Sequence, residues 1–354
     1  MSGIAAVERV RRSAARLEPP ALAAAVVGGL SLVATFVAFL AVPDVTAYPA
    51  VVFFAVVAYG WVSYQAETAR SLSFLTTVST VTVLGLVTVY LFVQSLPAVR
   101  RMGTALLTGT VWSTSANRYG LATMLWGTFV TTIIATLVAG PLGVAGAVFV
   151  SEIAPPSIRE AIKPAIELLA GIPSIVYGFI GYVVINRYMM DVFSLPTLGS
   201  LFVVGTVIGV MALPTVVSVA EDALTAVPGP VQDGSVALGT TDWQTTVGVT
   251  LPAAVSGVSA AIILGVGRAL GETMAATVIL ANVTKLPDPL YDVFGNTITL
   301  TSVIASQYGV AAGRPMQLSA LFAAGVVLFV TVLSLSVVSQ AVERRMRRTL
   351  GGDQ

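Results

Sequence analysis

The chain has 354 residues, 56% hydrophobic and 10% charged, with mean hydropathy +0.91; soluble globular proteins carry charge on about a quarter of their residues, so this composition is that of an integral membrane protein. A net charge of +1 without a long basic run gives no electrostatic support to a nucleic-acid partner. The absence of Cys and His removes disulfides, thiol nucleophiles, the usual zinc ligands and Ser-His-Asp catalysis, and no cofactor is expected.

A membrane-crossing helix needs about 20 apolar residues. Eight such runs are predicted, at 21–42, 48–64, 72–96, 122–150, 172–185, 198–220, 253–281 and 318–341. The fold class is therefore an all-α integral membrane protein, a polytopic bundle of about eight helices. The first run follows an Arg-bearing start and lacks a small-residue cleavage site, so it reads as a retained helix.

Basic stretches set the orientation. "RVRRSAAR" precedes the first run, "ETARS" follows the second, "SEIAPPSIREAIKPAIE" the fourth and "ERRMRR" the eighth. Both termini are placed in the cytoplasm of a prokaryotic cell, with Arg100, Arg101, Arg118, Arg187, Lys285 and Arg314 falling on the outer side. Trp112 and Tyr119, in the outer segment 97–121, read as an interfacial anchor. Arg159, Lys163 and Glu167 stand at helical spacing and read as a solvated, self-paired helix, with a second contact to a partner subunit as the alternative. Pro141, Pro173 and Pro214 are candidate kinks.

Between the sixth and seventh runs lies "EDALTAVPGPVQDGSVALGTTDWQTTVGVTLP". Pro230 suits a first helical turn, Gly239 a left-handed helix end, and Thr241 with Gln244 a capping box that opens a second helix. Two readings stand for this helix-turn-helix knob: a docking element for a partner's groove, or an ordinary interfacial loop.

The seventh run holds "GRALGETMAATVILAN", with Arg268 and Glu272 four residues apart. An uncompensated charge at mid-membrane costs on the order of 3 kcal/mol, so both must face protein or a water-filled path. Helical spacing stacks them and predicts a mutual pair. That pair either fixes packing alone or, through the donor fork of the guanidinium, serves an oxyanion. Gly265, Gly267 and Gly271 permit close backbone approach.

The loop resembles the cytoplasmic signature of ABC importer permeases, E-A-A, three residues, G, nine residues, I, one residue, L-P. Asp233, Gly234 and Ser235 take the first three places, Gly239 follows, and Val249, Leu251 and Pro252 close it; Ala237 lies within it. Gly234 and Ser235 depart from the two alanines. The resemblance implies a coupling helix that enters a cleft on a separate ATPase subunit, in keeping with the lack of a Walker A loop here. "LLTGTVW", "PLGVAGAVFVSEIAP", "LLAGIPSIVYGFIG" and "GRALGETMAATVILAN" are similar to the PstC-type permease of phosphate ABC importers, over 72–341.

That resemblance implies a substrate path for inorganic phosphate at Arg268, Glu272 and Thr273, and no catalysis by the chain itself. The implied partners are a PstA-type second permease, an ATPase dimer, an extracytoplasmic phosphate-binding protein and the lipid bilayer. The expected organisation is a cytoplasmic segment 1–20, an extra transmembrane hairpin 21–71, a permease domain 72–341 with coupling loop 221–252, and a cytoplasmic tail 342–354. The alternatives are a permease for sulfate or molybdate, or a stand-alone secondary transporter or channel.

Overall fold

A computed structural model describes residues 19–193 and 198–350. It is helical almost throughout, because backbone polar groups in hydrocarbon must be satisfied within each segment. The chain divides into two compact units, Met1–Tyr90 and Leu91–Gln354. The basic stretch 9–16 and the side chains of 343–348 lie outside the described residues.

In the first unit, α1 (Pro19–Ala41) and α2 (Ala47–Ser63) pack on each other and lead into α3 (Gln65–Met102). Both α1 and α2 are apolar around most of their circumference, with Leu30, Phe36, Phe54 and Val62 exposed. This is the pattern of helices whose solvent is lipid.

The second unit holds the remainder of α3, α4 (Ala105–Thr108), the hairpin β1 (Trp112–Ser113) and β2 (Arg118–Tyr119), and α5 (Ala122–Val148). Then come α6 (Pro156–Gly171), α7 (Ser174–Ile180), α8 (Arg187–Phe193) and α9 (Leu201–Thr225). The chain continues through α10 (Gly229–Ala237), α11 (Asp242–Thr245), α12 (Leu251–Gly271), α13 (Met274–Ile279), α14 (Leu300–Gln307) and α15 (Pro315–Leu350).

Among the described residues, six helices are long and apolar enough to cross a membrane, and α6 with α7–α8, bent by 88°, would supply a seventh. The first predicted run corresponds to α1, of 23 residues.

The most enclosed helix is α9, gripped by α5 and α12. Glycines allow that grip: a Cβ on Gly209 would stand 2.7 Å from Val138 Cβ, and one on Gly143 would stand 2.6 Å from Val216 Cγ1. Such close backbone approach supplies the van der Waals contact that holds helices together where lipid removes the hydrophobic driving force.

Three expectations change. Tyr119 is not an exposed anchor: α3 runs on to Met102, and the rings of Trp112 and Tyr119 meet edge to face at 5.0 Å in the hairpin. Tyr119 is 1% exposed and packs with Leu121, Met124, Ile298 and Leu300, where its large ring buries apolar area. Helix α6 is not self-paired: Lys163 reaches out of it to Glu221 of α9, Nζ to Oε1 2.8 Å. The run 253–281 is not one helix, for α12 ends at Gly271 and α13 begins at Met274. Of the candidate kinks, Pro141 and Pro214 are accommodated inside α5 and α9, while Pro173 stands at the bend before α7.

Candidate functional site

The break between α12 and α13 exposes backbone groups that a continuous helix would satisfy, and the local sequence satisfies them another way. Glu272 leaves the helix with φ −69° and ψ 125°. The carbonyls of Gly271 and Glu272 accept hydrogen bonds from the hydroxyls of Thr273 (3.2 Å) and Thr301 (2.7 Å), and the carbonyl of Thr273, which takes the Thr277 N–H as the first bond of α13, also accepts the Thr277 hydroxyl (2.7 Å). Irregular backbone at membrane depth is tolerated where hydroxyls re-satisfy it in this manner.

The carboxylate of Glu272 accepts the backbone N–H of Ala275 at 3.1 Å. A negative group at the start of a helix answers both an orphan donor and the positive end of the helix dipole. Arg268 occupies the last turn of α12, where a cation is favoured for the converse reason. The expected pair between Arg268 and Glu272 is absent: with the helix ended at Gly271, the spacing that would stack them is lost, and each charge serves its own helix end.

Arg268 is exposed and has no hydrogen-bond or ion-pair partner among the described residues, whereas Glu272 and Thr273 are half-buried. Around Arg268 the end of α12 is open, for Leu264 and Gly271 are exposed and Gly267 and Gly271 have no neighbour within 4 Å of a built Cβ. Gly265 behaves otherwise, pressed against Val216 of α9. The break thus offers one set of uncommitted donors, the guanidinium, beside three hydroxyls already occupied. Thr277 and Thr301 were not singled out by sequence. The four-residue step from Thr273 to Thr277 is a readable signal, but Thr301 lies 29 residues from Glu272 and carries none.

The second constellation is the knob after α9. Helix α10 ends at Ala237 with Leu238 as its cap, Gly239 takes φ +88°, and the Thr241 capping box closes in full, with Thr241 Oγ1 accepting Gln244 N–H and Gln244 Oε1 accepting Thr241 N–H. Asp233, Gly234, Ala237 and Gly239 are exposed, Leu251 is half-buried and Pro252 sits in the first turn of α12. Ser235, where the signature has alanine, is buried. Its Oγ lies 2.8 Å from Thr240 Oγ1 and 3.2 Å from Thr245 Oγ1, and the latter two are 2.9 Å apart. This triangle of hydroxyls fastens α10 to α11 from behind and leaves Leu238, Trp243 and Val236 outward as an apolar face.

Residues 139–348 match the family described as binding-protein-dependent transport system inner membrane component. The chain belongs to that family. This inner membrane component is 37% identical over 249 residues to the probable ABC transporter permease protein YqgH of Bacillus subtilis, covering 69% of the chain and 80% of that protein. It is 34% identical over 273 residues to the phosphate transport system permease protein PstC of Xylella fastidiosa, covering 72% of the chain and 83% of that protein. The fold of the inner membrane component is also that of a chain in a bacterial alginate ABC transporter, with TM-score 0.56 at 14% identity over 80% of this chain and 98% of that one.

Proposed function

We propose that this chain is the PstC-type permease subunit of a phosphate ABC importer, supplying part of the transmembrane path for inorganic phosphate. The likeness to a phosphate transport system permease over 72% of the chain supports the substrate. The observation that carries the site is the broken helix at Glu272, which leaves Arg268 as uncommitted donors on an open helix face. A guanidinium fork suits two oxygens of a tetrahedral oxyanion and replaces part of its lost hydration. Glu272, engaged with the N-terminus of α13, holds the break in shape, and Thr273 borders it.

The knob formed by α10 and α11 is the coupling element. Its outward face, including Asp233, Gly234, Ala237 and Gly239, meets an ATPase subunit, while Ser235 holds α10 to α11 and Leu251 and Pro252 lead the knob into α12. The remaining partners are a PstA-type permease across the open face of α12, a second ATPase copy and an external phosphate-binding protein. Both termini are cytoplasmic. Residues 21–71 form a hairpin added to a permease domain at 72–341, flanked by cytoplasmic segments 1–20 and 342–354.

The test is reconstitution with these partners in liposomes. ATP-driven uptake of radiolabelled phosphate, undiminished by excess sulfate or molybdate, is the expected result. Uptake of sulfate in preference to phosphate assigns the path to another oxyanion, and uptake without an ATPase returns the chain to the secondary transporters.

A further inference from the structure

Helix α6 is unusual in this bundle because none of its 16 residues is buried. Its inward face carries Arg159, Ile162, Lys163 and Ile166, spaced for one side of a helix. The two cations grip different elements. Arg159 Nη2 donates to the carbonyl of Ser151, in the turn that ends α5, and Lys163 Nζ stands 2.8 Å from Glu221 Oε1. Glu221 is 7% exposed, and its carboxylate has no other partner among the described residues.

Both anchor points adjoin the knob. Glu221 lies one turn before the end of α9 at Thr225, and α10 opens at Gly229. Ser151, Glu152 and Thr225 line one side of a cleft of about 550 Å³ whose other side is Gln232, Asp233 and Asp242 of the knob.

The far end of α6 leads to the break. The chain bends by 88° into α7, and α7 meets α13 where a Cβ on Gly178 would be 2.9 Å from Ala275 Cα. Ala275 is the residue whose N–H the carboxylate of Glu272 accepts. Helix α6, with little apolar packing, is thus held by its two cations near its start, while α7, across the bend, is held by close backbone contact with α13.

We propose that α6 and α7 are a bent arm carrying movement of the knob to the break at Glu272, with Lys163 and Glu221 as the positioning pair that fastens the arm. This inference rests on the reading of the chain as an ATP-driven permease. Packed elements and ion pairs in series are a physical route for coupling, and coupling itself is what must be measured.

The measurement uses the reconstituted complex and the ratio of ATP hydrolysed to phosphate imported. Glu221→Gln leaves only a half-exposed ammonium unpaired and is expected to assemble. In Glu221→Gln and Lys163→Gln the ratio should rise by about fivefold or more, within the range of site-to-site coupling. The charge swap K163E/E221K should return it to within about twofold of the unmodified complex, the scatter of independent effects. An unchanged ratio in assembled Glu221→Gln overturns the arm, as does a swap that fails to lower the raised ratio.

A second readout needs no substrate. Spin labels on cysteines placed at Ser157 and Asp222 of this Cys-free chain report the separation of α6 and α9. The distribution should be narrow with and without ATP, and broad in Glu221→Gln. Equal widths overturn the arm, whereas a complex that imports no phosphate yet shows this difference overturns the phosphate reading alone.

Discussion

The hydroxyl of Thr301 donates to the backbone carbonyl of Glu272 at 2.7 Å, tying α14 to the point where α12 stops. Without it the carbonyl of half-buried Glu272 would lose this side-chain donor. A buried acceptor left unmatched costs about 1–3 kcal/mol. Thr301→Val should therefore destabilise the purified protein by an amount in that range, seen as a lower thermal midpoint, and Thr301→Ser should restore most of it. An unaltered midpoint in Thr301→Val would show that this bond does not hold the break.

Because Arg268 and Glu272 serve separate helix ends, their substitutions should not compensate each other. Glu272→Gln keeps an oxygen for the N–H of Ala275 and should assemble, and Arg268→Gln removes the free donors of an exposed side chain and should assemble too. Phosphate uptake normalised to assembled complex should fall by about tenfold or more in Arg268→Gln, the loss of roughly one charge-assisted contact. The double variant should do no better. Recovery of uptake in the double variant would restore the paired reading and remove Arg268 from the path.

Leu238, 88% exposed at the tip of α10, gives a cleaner probe of docking than the glycine beside it. Any side chain at Gly239 meets the left-handed penalty, about 1–2 kcal/mol, as well as the docking face. Leu238→Asp should insert and fold normally but lose co-purification with the ATPase. Gly239→Arg should show both a lower thermal midpoint and the same loss. Full ATPase recovery with Leu238→Asp would place the contact elsewhere.

Topology is open to single-cysteine labelling in a chain with no Cys of its own. A cysteine at Thr241 should react with a membrane-impermeant maleimide only from the cytoplasmic side, and one at Asp288 only from outside. Both reacting from one side would invert part of the span assignment.

Much of this architecture is written locally. The helix-glycine-helix knob was legible because a capping box, a glycine at a helix end and a proline in a first turn each act within a few residues. What escaped local reading depends on residues far apart. Lys163 has Glu167 one turn away, and helical spacing favours that pair, but a buried carboxylate on α9 is the stronger claimant because it has nowhere else to turn. Likewise Arg268 and Glu272 look stacked only while the helix is assumed to continue. Gly271 ends α12, but glycine is common within membrane helices and does not by itself announce the stop, which is stabilised by Thr301, from a segment the pattern of 253–281 does not contain.

The open face around Arg268 bears on how the subunit is made as well as how it works. A guanidinium turned toward hydrocarbon carries a penalty on the order of 3 kcal/mol, which favours a covered subunit over a solitary one by roughly a hundredfold. An Arg268 left uncovered in hydrocarbon would therefore disfavour the solitary chain, and the same charge would reward assembly.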